Sequence, residues 1–209
     1  MRIVYLHGFA SSPQSSKAQF FRRKFANAGV PVDVPQLDEG NFEKLTITGQ
    51  LQVIQKAMAG GPAVLMGSSL GGYLAALYAV RHREEVQKLI LLAPAFQFPR
   101  RWKERFGPQQ LQMWKTVGSL PFFHYGSQQE QRLGYGFVED AVQYEDQPDF
   151  TQPALILHGT GDAVVPVTVS RELASARSNV QLVEFASGHE LTDMVDGLWK
   201  QTAAFLGLV

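Results

Sequence analysis

Gly67-Ser68-Ser69-Leu70-Gly71 follows a short apolar run, Ala63-Val64-Leu65-Met66, and opens a stretch with helical spacing. A strand, a tight turn and a helix in that order match the nucleophile elbow, G-x-S-x-G, in which a serine occupies the turn. The positions two before and two after that serine must be nearly free of side chain for strand and helix to approach. Gly67 and Gly71 fill them. Ser69 is therefore the candidate nucleophile. A Gly/Ser turn without chemistry is the competing reading, because small residues fall into this pattern by chance. A phosphate-binding loop does not fit: it needs Gly-Lys-Ser/Thr after its spacer, and Gly71-Gly72-Tyr73 supplies no lysine.

Outward from this stretch, six short runs read as strands: Ile3 to Leu6, Val32 to Val34, Ala63 to Met66, Lys88 to Leu92, Ala154 to Leu157 and Val180 to Phe185. They are continuously apolar and not alternating, which suits parallel strands covered on both faces. Helical patterns lie between them. Ser15 or Ser16 can cap a helix that buries Phe21 and Phe25 and stops at Gly29, and Ile47, Leu51, Ile54 and Met58 form a stripe that stops at Gly60. After the elbow, Leu70, Leu74, Leu77 and Tyr78 recur at helical spacing while Gly72, Ala75, Ala76 and Ala79 keep the other faces slim. Leu191, Met194, Val195, Leu198 and Trp199 define an amphipathic helix near the C-terminus. The alternation implies an α/β fold with about six mostly parallel strands, right-handed crossovers and helices on both faces. It breaks from Pro94 to about Phe150, a segment too long for an ordinary loop. Residues 1–93 and 151–209 are expected to form the core, and 94–150 a helical cap or lid.

The 209 residues suffice for one sizeable core. Nineteen basic residues balance nineteen acidic ones, leaving no global field for nucleic acid or an anionic membrane, so a small molecule is the expected partner. The first strand-like run begins at Arg2 and no apolar stretch is long enough to span a bilayer, so neither a signal peptide nor a membrane anchor is expected, and a cytoplasmic location is. The absence of cysteine excludes disulfides and thiolate chemistry. No cofactor and no metal is called for. Nothing in the composition bears on oligomeric state.

A serine hydroxyl attacks poorly without a general base, and only histidine titrates in the right range. His82 falls in the charged helix end Arg81-His82-Arg83-Glu84-Glu85, where a solvated role is expected, and His124 lies in the aromatic insertion, where packing or exposure is. His7 and His158 each end a strand before a glycine, at the carboxyl edge of the sheet where open α/β folds build their sites. A histidine in such a turn often only bonds to backbone. His189, in Ala186-Ser187-Gly188-His189-Glu190-Leu191, sits in a small-residue loop between the last strand and last helix and is the leading base. Asp162, in the Gly-rich turn Gly159-Thr160-Gly161-Asp162, is the leading acid to hold that base in one tautomer, with a purely turn-forming role as the alternative. Asp140, Asp146 and Asp149 belong to the insertion, and Asp193 and Asp196 face out of the last helix. An oxyanion would be met by two backbone amides, Leu70 at the start of its helix and Phe9 in the loop after the first strand. Phe9, Trp102, Trp114, Phe122 and Phe123 are candidates to line a substrate cleft, with packing among themselves as the alternative.

The chain order Ser69, Asp162, His189 is that of α/β-hydrolases. With Tyr5-Leu6-His7-Gly8-Phe9, Ser11-Ser12-Pro13, Lys17-Ala18 and Gly67-Ser68-Ser69-Leu70-Gly71-Gly72-Tyr73, the sequence resembles that superfamily and, more narrowly, the small YqiA-like esterases. The base loop departs from the narrower group, which tends to carry Gly-Asn-His-x-Phe. The resemblance implies a minimal α/β-hydrolase fold lacking the first antiparallel hairpin, with a cap. It implies a serine carboxylesterase of small to medium acyl esters working through Ser69, His189 and Asp162. Thioesterase, lactonase and small-amide hydrolase are alternatives with the same triad, and a non-catalytic ligand-binding protein of the same fold is a further one.

Overall fold

A computed structural model of the chain describes residues 1–208. The central sheet holds six strands: β1 (Ile3–Leu6), β2 (Val32–Asp33), β3 (Ala63–Ser68), β4 (Val86–Leu92), β7 (Ala154–Gly159) and β8 (Val180–Phe185). Their order is β2-β1-β3-β4-β7-β8 and every pairing is parallel. All residues of β1, β3 and β7 are buried, because the sheet is covered on both faces. Alternation then sorts the strand residues into two cores. Ile3, Tyr5, Val64, Met66, Ile90, Leu92, Leu155 and Leu157 pack with α1 (Ser16–Asn27) and α7 (Val195–Leu206). Val4, Leu6, Leu65, Leu89, Leu91 and Ile156 pack with α2 (Ile47–Met58), α3 (Leu70–Arg81) and α6 (Val167–Ala176).

The expected strands and helices are present, with differences at their ends. Ser15 precedes α1 without a side-chain cap, and α2 is capped instead by Thr46, whose hydroxyl accepts from the Gly49 amide at 2.9 Å. The last helix begins at Val195 and not at Leu191, because Leu191 takes a left-handed conformation (φ 55°) and a 3₁₀ turn over Thr192–Met194 intervenes.

The segment from 94 to 150 holds α4 (Phe98–Val117) and α5 (Gly136–Ala141), the helices expected there. Between them lies an antiparallel hairpin where the sequence pattern shows only helices, β5 (Ser119–His124) with β6 (Gln129–Gly134). Gly107 leaves helical geometry (φ 67°, ψ 165°) and Pro108 follows it, so α4 is two helices meeting at a kink. Trp114, wholly buried, donates its indole N–H to the Leu133 carbonyl at 3.1 Å and fastens the second half of α4 to the hairpin. The hairpin is in turn attached to the loop after β1, where the Tyr125 amide donates to the Ala10 carbonyl at 2.7 Å.

Candidate active site

The strand order reverses between β1 and β3, so a crevice opens at the carboxyl ends of these two neighbours. The loop after β1 carries His7, Gly8 and Phe9, and the turn after β3 carries Ser69. Ser69 is bent into φ 53°, ψ −116°, a region that non-glycine residues rarely occupy. The bend is held from β4: the Ser69 amide donates to the Leu92 carbonyl at 2.9 Å, and the Ala95 amide donates to the Ser69 carbonyl at 3.0 Å. A Cβ on Gly67 would lie 2.2 Å from the Gly71 oxygen, and one on Gly71 would lie 2.1 Å from the Leu6 oxygen. Strand, turn and helix therefore pass at a distance only glycine permits.

Ser69 Oγ lies 2.9 Å from His189 Nε2, and His189 Nδ1 lies 2.7 Å from Asp162 Oδ2. With Nδ1–H donating to the carboxylate, Nε2 is left as the acceptor for the serine hydroxyl. Two loops from adjacent strands bring the histidine and the aspartate together. A Cβ on Gly159 would meet the Ser187 oxygen at 2.4 Å, so the base loop rests directly on the acid loop. The Gly161 amide donates to the Ser187 carbonyl at 3.0 Å, and the Ser187 hydroxyl donates to Asp193 at 2.5 Å.

Asp162 has no exposed side-chain surface. Its Oδ1 accepts from the Val164 and Val165 amides, both at 2.8 Å, and its Oδ2 accepts from His158 Nε2 at 3.1 Å besides His189. Burial alone would raise the carboxyl, but the hydrogen bonds from His158, His189 and the Val165 amide, with the charge His189 can carry, outweigh it and hold Asp162 well below the usual carboxylate range.

The two expected oxyanion donors lie beside the elbow. Leu70 is the first residue of α3, where an N–H has no intrahelical partner. A Cβ on Gly8 would sit 3.6 Å from Ser69 Cβ, so the loop leading to Phe9 passes against the elbow. Among the described residues neither the Phe9 nor the Leu70 amide has a protein acceptor.

Of the expected cleft residues, Phe9 packs on Trp102 (ring centroids 5.2 Å) and on Phe122 (5.7 Å), all three half-buried. Trp114 is sealed in the core beneath them, closed off from any ligand as long as α4 stays on the hairpin. Phe123 points to the other face of β5, 46% exposed and against Tyr125, because neighbouring strand residues face opposite ways. Trp102 is preceded by Arg101, whose guanidinium donates to the Val164 carbonyl in the acid loop. The first half of α4 thus spans the crevice from the acid loop to Phe9.

The remaining histidines lie off the Ser69 line. His82 pairs with Glu85 at 3.2 Å and stacks on Tyr78. His124 is buried, contrary to any exposed role, with Nε2 3.5 Å from Asp38. His7 is buried between the Gly8 carbonyl and the Leu37 amide, and burial lowers its tendency to take a proton. His158 stands behind Asp162, its Nε2 3.1 Å from Oδ2, a contact that nothing in the sequence signals. Among the described residues, no group of three or more His, Asp or Glu side chains is arranged to hold a metal ion, and no helix is long and apolar enough to cross a membrane.

A family model described as an uncharacterised protein family, UPF0227, matches residues 2–206. The chain belongs to this family. The resemblance to α/β-hydrolases of the YqiA-like type is thereby borne out. The UPF0227 chain is 28% identical over 192 residues to human mitochondrial palmitoyl-protein thioesterase ABHD10, an alignment covering 82% of the chain and spanning 60% of the thioesterase's length. Mouse α/β-hydrolase domain-containing protein 10 superposes with a TM-score of 0.81 at 20% identity, over 100% of the chain and 90% of the mouse protein. Est1E from Butyrivibrio proteoclasticus, with ferulic acid bound, superposes with a TM-score of 0.80 at 20% identity, over 99% of the chain and 89% of Est1E. The UPF0227 chain therefore has an α/β-hydrolase fold, and its similar proteins include a palmitoyl-protein thioesterase.

Proposed function

We propose that this UPF0227 protein is a serine hydrolase that cleaves small to medium carboxylic esters through Ser69, His189 and Asp162. The observation that carries the reading is the unbroken hydrogen-bond line from Ser69 Oγ through His189 to Asp162, at 2.9 and 2.7 Å, beside two amides with no protein acceptor. Ser69 Oγ attacks the acyl carbonyl as His189 Nε2 takes its proton. The carbonyl oxygen becomes an oxyanion that accepts from the Phe9 and Leu70 amides. His189 then gives the proton to the departing alcohol oxygen, leaving the acyl group on Ser69. Water loses a proton to His189, attacks the acyl carbon and releases the acid, and the proton returns to Ser69. Asp162 keeps Nδ1 protonated and stabilises the imidazolium formed in each half-reaction. Phe9, Trp102 and Phe122 form the apolar wall against which the acyl or alcohol group lies.

The similarity to ABHD10 favours a second reading, hydrolysis of acyl thioesters by the same residues. Initial rates on matched p-nitrophenyl esters and acyl thioesters, for wild type and Ser69→Ala, separate the two and test the core of both. Turnover of the preferred series is expected to fall on the order of 10⁴- to 10⁶-fold in Ser69→Ala. Equal rates in the two proteins would refute the assignment.

A further inference from the structure

His158, the last-but-one residue of β7, is fully buried and all of its ring positions are spoken for. Nε2 lies 3.1 Å from Asp162 Oδ2 and 3.0 Å from the Val165 carbonyl. Both are acceptors, so Nε2 carries the proton. Nδ1 lies 2.7 Å from Ser170 Oγ on α6, whose hydroxyl donates to it. The Ser170 side chain is itself fully buried.

We propose that His158 is a positioning residue for the active site, acting on the base His189 through Asp162. This rests on the hydrolase reading above. A carboxylate has about four acceptor sites. Those of Asp162 are filled by two amides on Oδ1 and two imidazoles on Oδ2, so the carboxylate cannot swing toward or away from His189 without breaking a buried hydrogen bond. Sharing Oδ2 also divides its charge between the two rings. Without the His158 donor, Asp162 keeps its two amide bonds but presents a more concentrated charge to His189 alone. The imidazolium of His189 is then held more tightly and the free base is poorer at a given pH.

The other ionisable groups around this set come from several elements. Glu184 of β8 stands across the ladder from His158 and is paired with Arg171 of α6 at 2.6 Å. Lys17 of α1, its charge disfavoured by burial, lies 3.9 Å from Glu190 and within reach of the Asp162 field. Arg101 of α4 is bound to the Val164 carbonyl. None of these five bonds to either oxygen of Asp162, so the His158 donor is the one whose removal acts on that carboxylate directly.

The test compares wild type, His158→Leu, His158→Gln and Ser170→Ala. His158→Leu keeps apolar bulk without a donor, and His158→Gln returns an N–H near the Nε2 position. Two readouts are taken: kcat and KM on p-nitrophenyl acetate across pH, and the pH midpoint of the His189 ring signals in histidine-labelled NMR spectra. In His158→Leu, kcat at neutral pH is expected to fall about ten- to hundredfold, the scale on which removing an outer hydrogen-bond partner weakens metal sites, while KM holds. The acid limb and the His189 midpoint are both expected to move upward by about half a unit or more. His158→Gln recovers most of both, and Ser170→Ala shifts both part-way. A His189 midpoint in His158→Leu at or below the wild-type value, or a His158→Gln variant no better than His158→Leu, overturns the proposal. If His158→Leu does not fold, Ser170→Ala decides: a midpoint equal to wild type overturns it. The NMR readout needs no turnover. A wild type inactive on every ester and thioester with a shifted His158→Leu midpoint would therefore refute the hydrolase reading alone.

Discussion

Ser69 presents its hydroxyl to His189 only because its backbone is bent to φ 53°, ψ −116°, and that bend is held by amide contacts from the end of β4 and the first turn of α3. Asp162 bears the opposite kind of constraint, four donors converging on one buried carboxylate. Its native form releases a proton more readily than an unfolded aspartate, whose value is near 3.9. Between the native and unfolded values the unfolded chain binds more protons. The carboxylate therefore contributes stability that is complete above about pH 5 and lost as pH falls through the native value. Urea unfolding of wild type and Asp162→Asn, compared below about pH 5 where histidines are charged in both chains, should give a gap that narrows as pH falls below about 4. A gap that stays constant or widens below about pH 4 would contradict this. The three residues in line were legible from chain order and strand ends. The Asp162–His158 bond was not, because a strand-end histidine bonded to backbone and one bonded to a carboxylate leave the same trace in sequence. Trp114 and Phe123 show the same limit: both are aromatic residues of one segment, yet one lies in the core and the other on the far face of β5.

At the scale of elements, the elbow joins β3 and α3 at a separation set by backbone atoms. Gly71→Ala would place a methyl 2.1 Å from the Leu6 backbone oxygen at the end of β1, where nothing flexible can yield. A loss of at least about 3 kcal/mol is expected, measurable as a collapse of the thermal midpoint or as insoluble protein. Gly72→Ala would meet Pro94 Cβ at 3.0 Å and should cost less. Equal stability of Gly71→Ala and wild type would mean that the elbow is looser than described. The strands of the main sheet were readable because burial on both faces leaves continuous apolar runs. The β5–β6 hairpin was not. β5 contains Pro121, β6 is Gln-Glu-Gln-Arg-Leu-Gly with only Leu133 buried, and neither carries a β-branched residue. The start of α7 is hidden for a different reason: Leu191 fits the apolar stripe but takes a left-handed turn, which periodicity cannot register.

Across the whole molecule, the doubly wound sheet and the segment from 94 to 150 converge on one crevice. The sheet's reversal between β1 and β3 brings Phe9 beside Ser69, and β7 and β8 bring Asp162 and His189 from the other side. The first half of α4 then bridges these groups, with Arg101 on the acid loop and Trp102 on Phe9. The central claim is that this convergence turns Ser69, and no other hydroxyl, into a nucleophile. Its most direct measurement is reaction of the intact protein with a fluorophosphonate probe, followed by peptide mass spectrometry to locate the adduct. The adduct should fall on Ser69, vanish in Ser69→Ala and form far more slowly in His189→Ala. An adduct on another residue, or none under conditions that label a known serine hydrolase, would contradict the account.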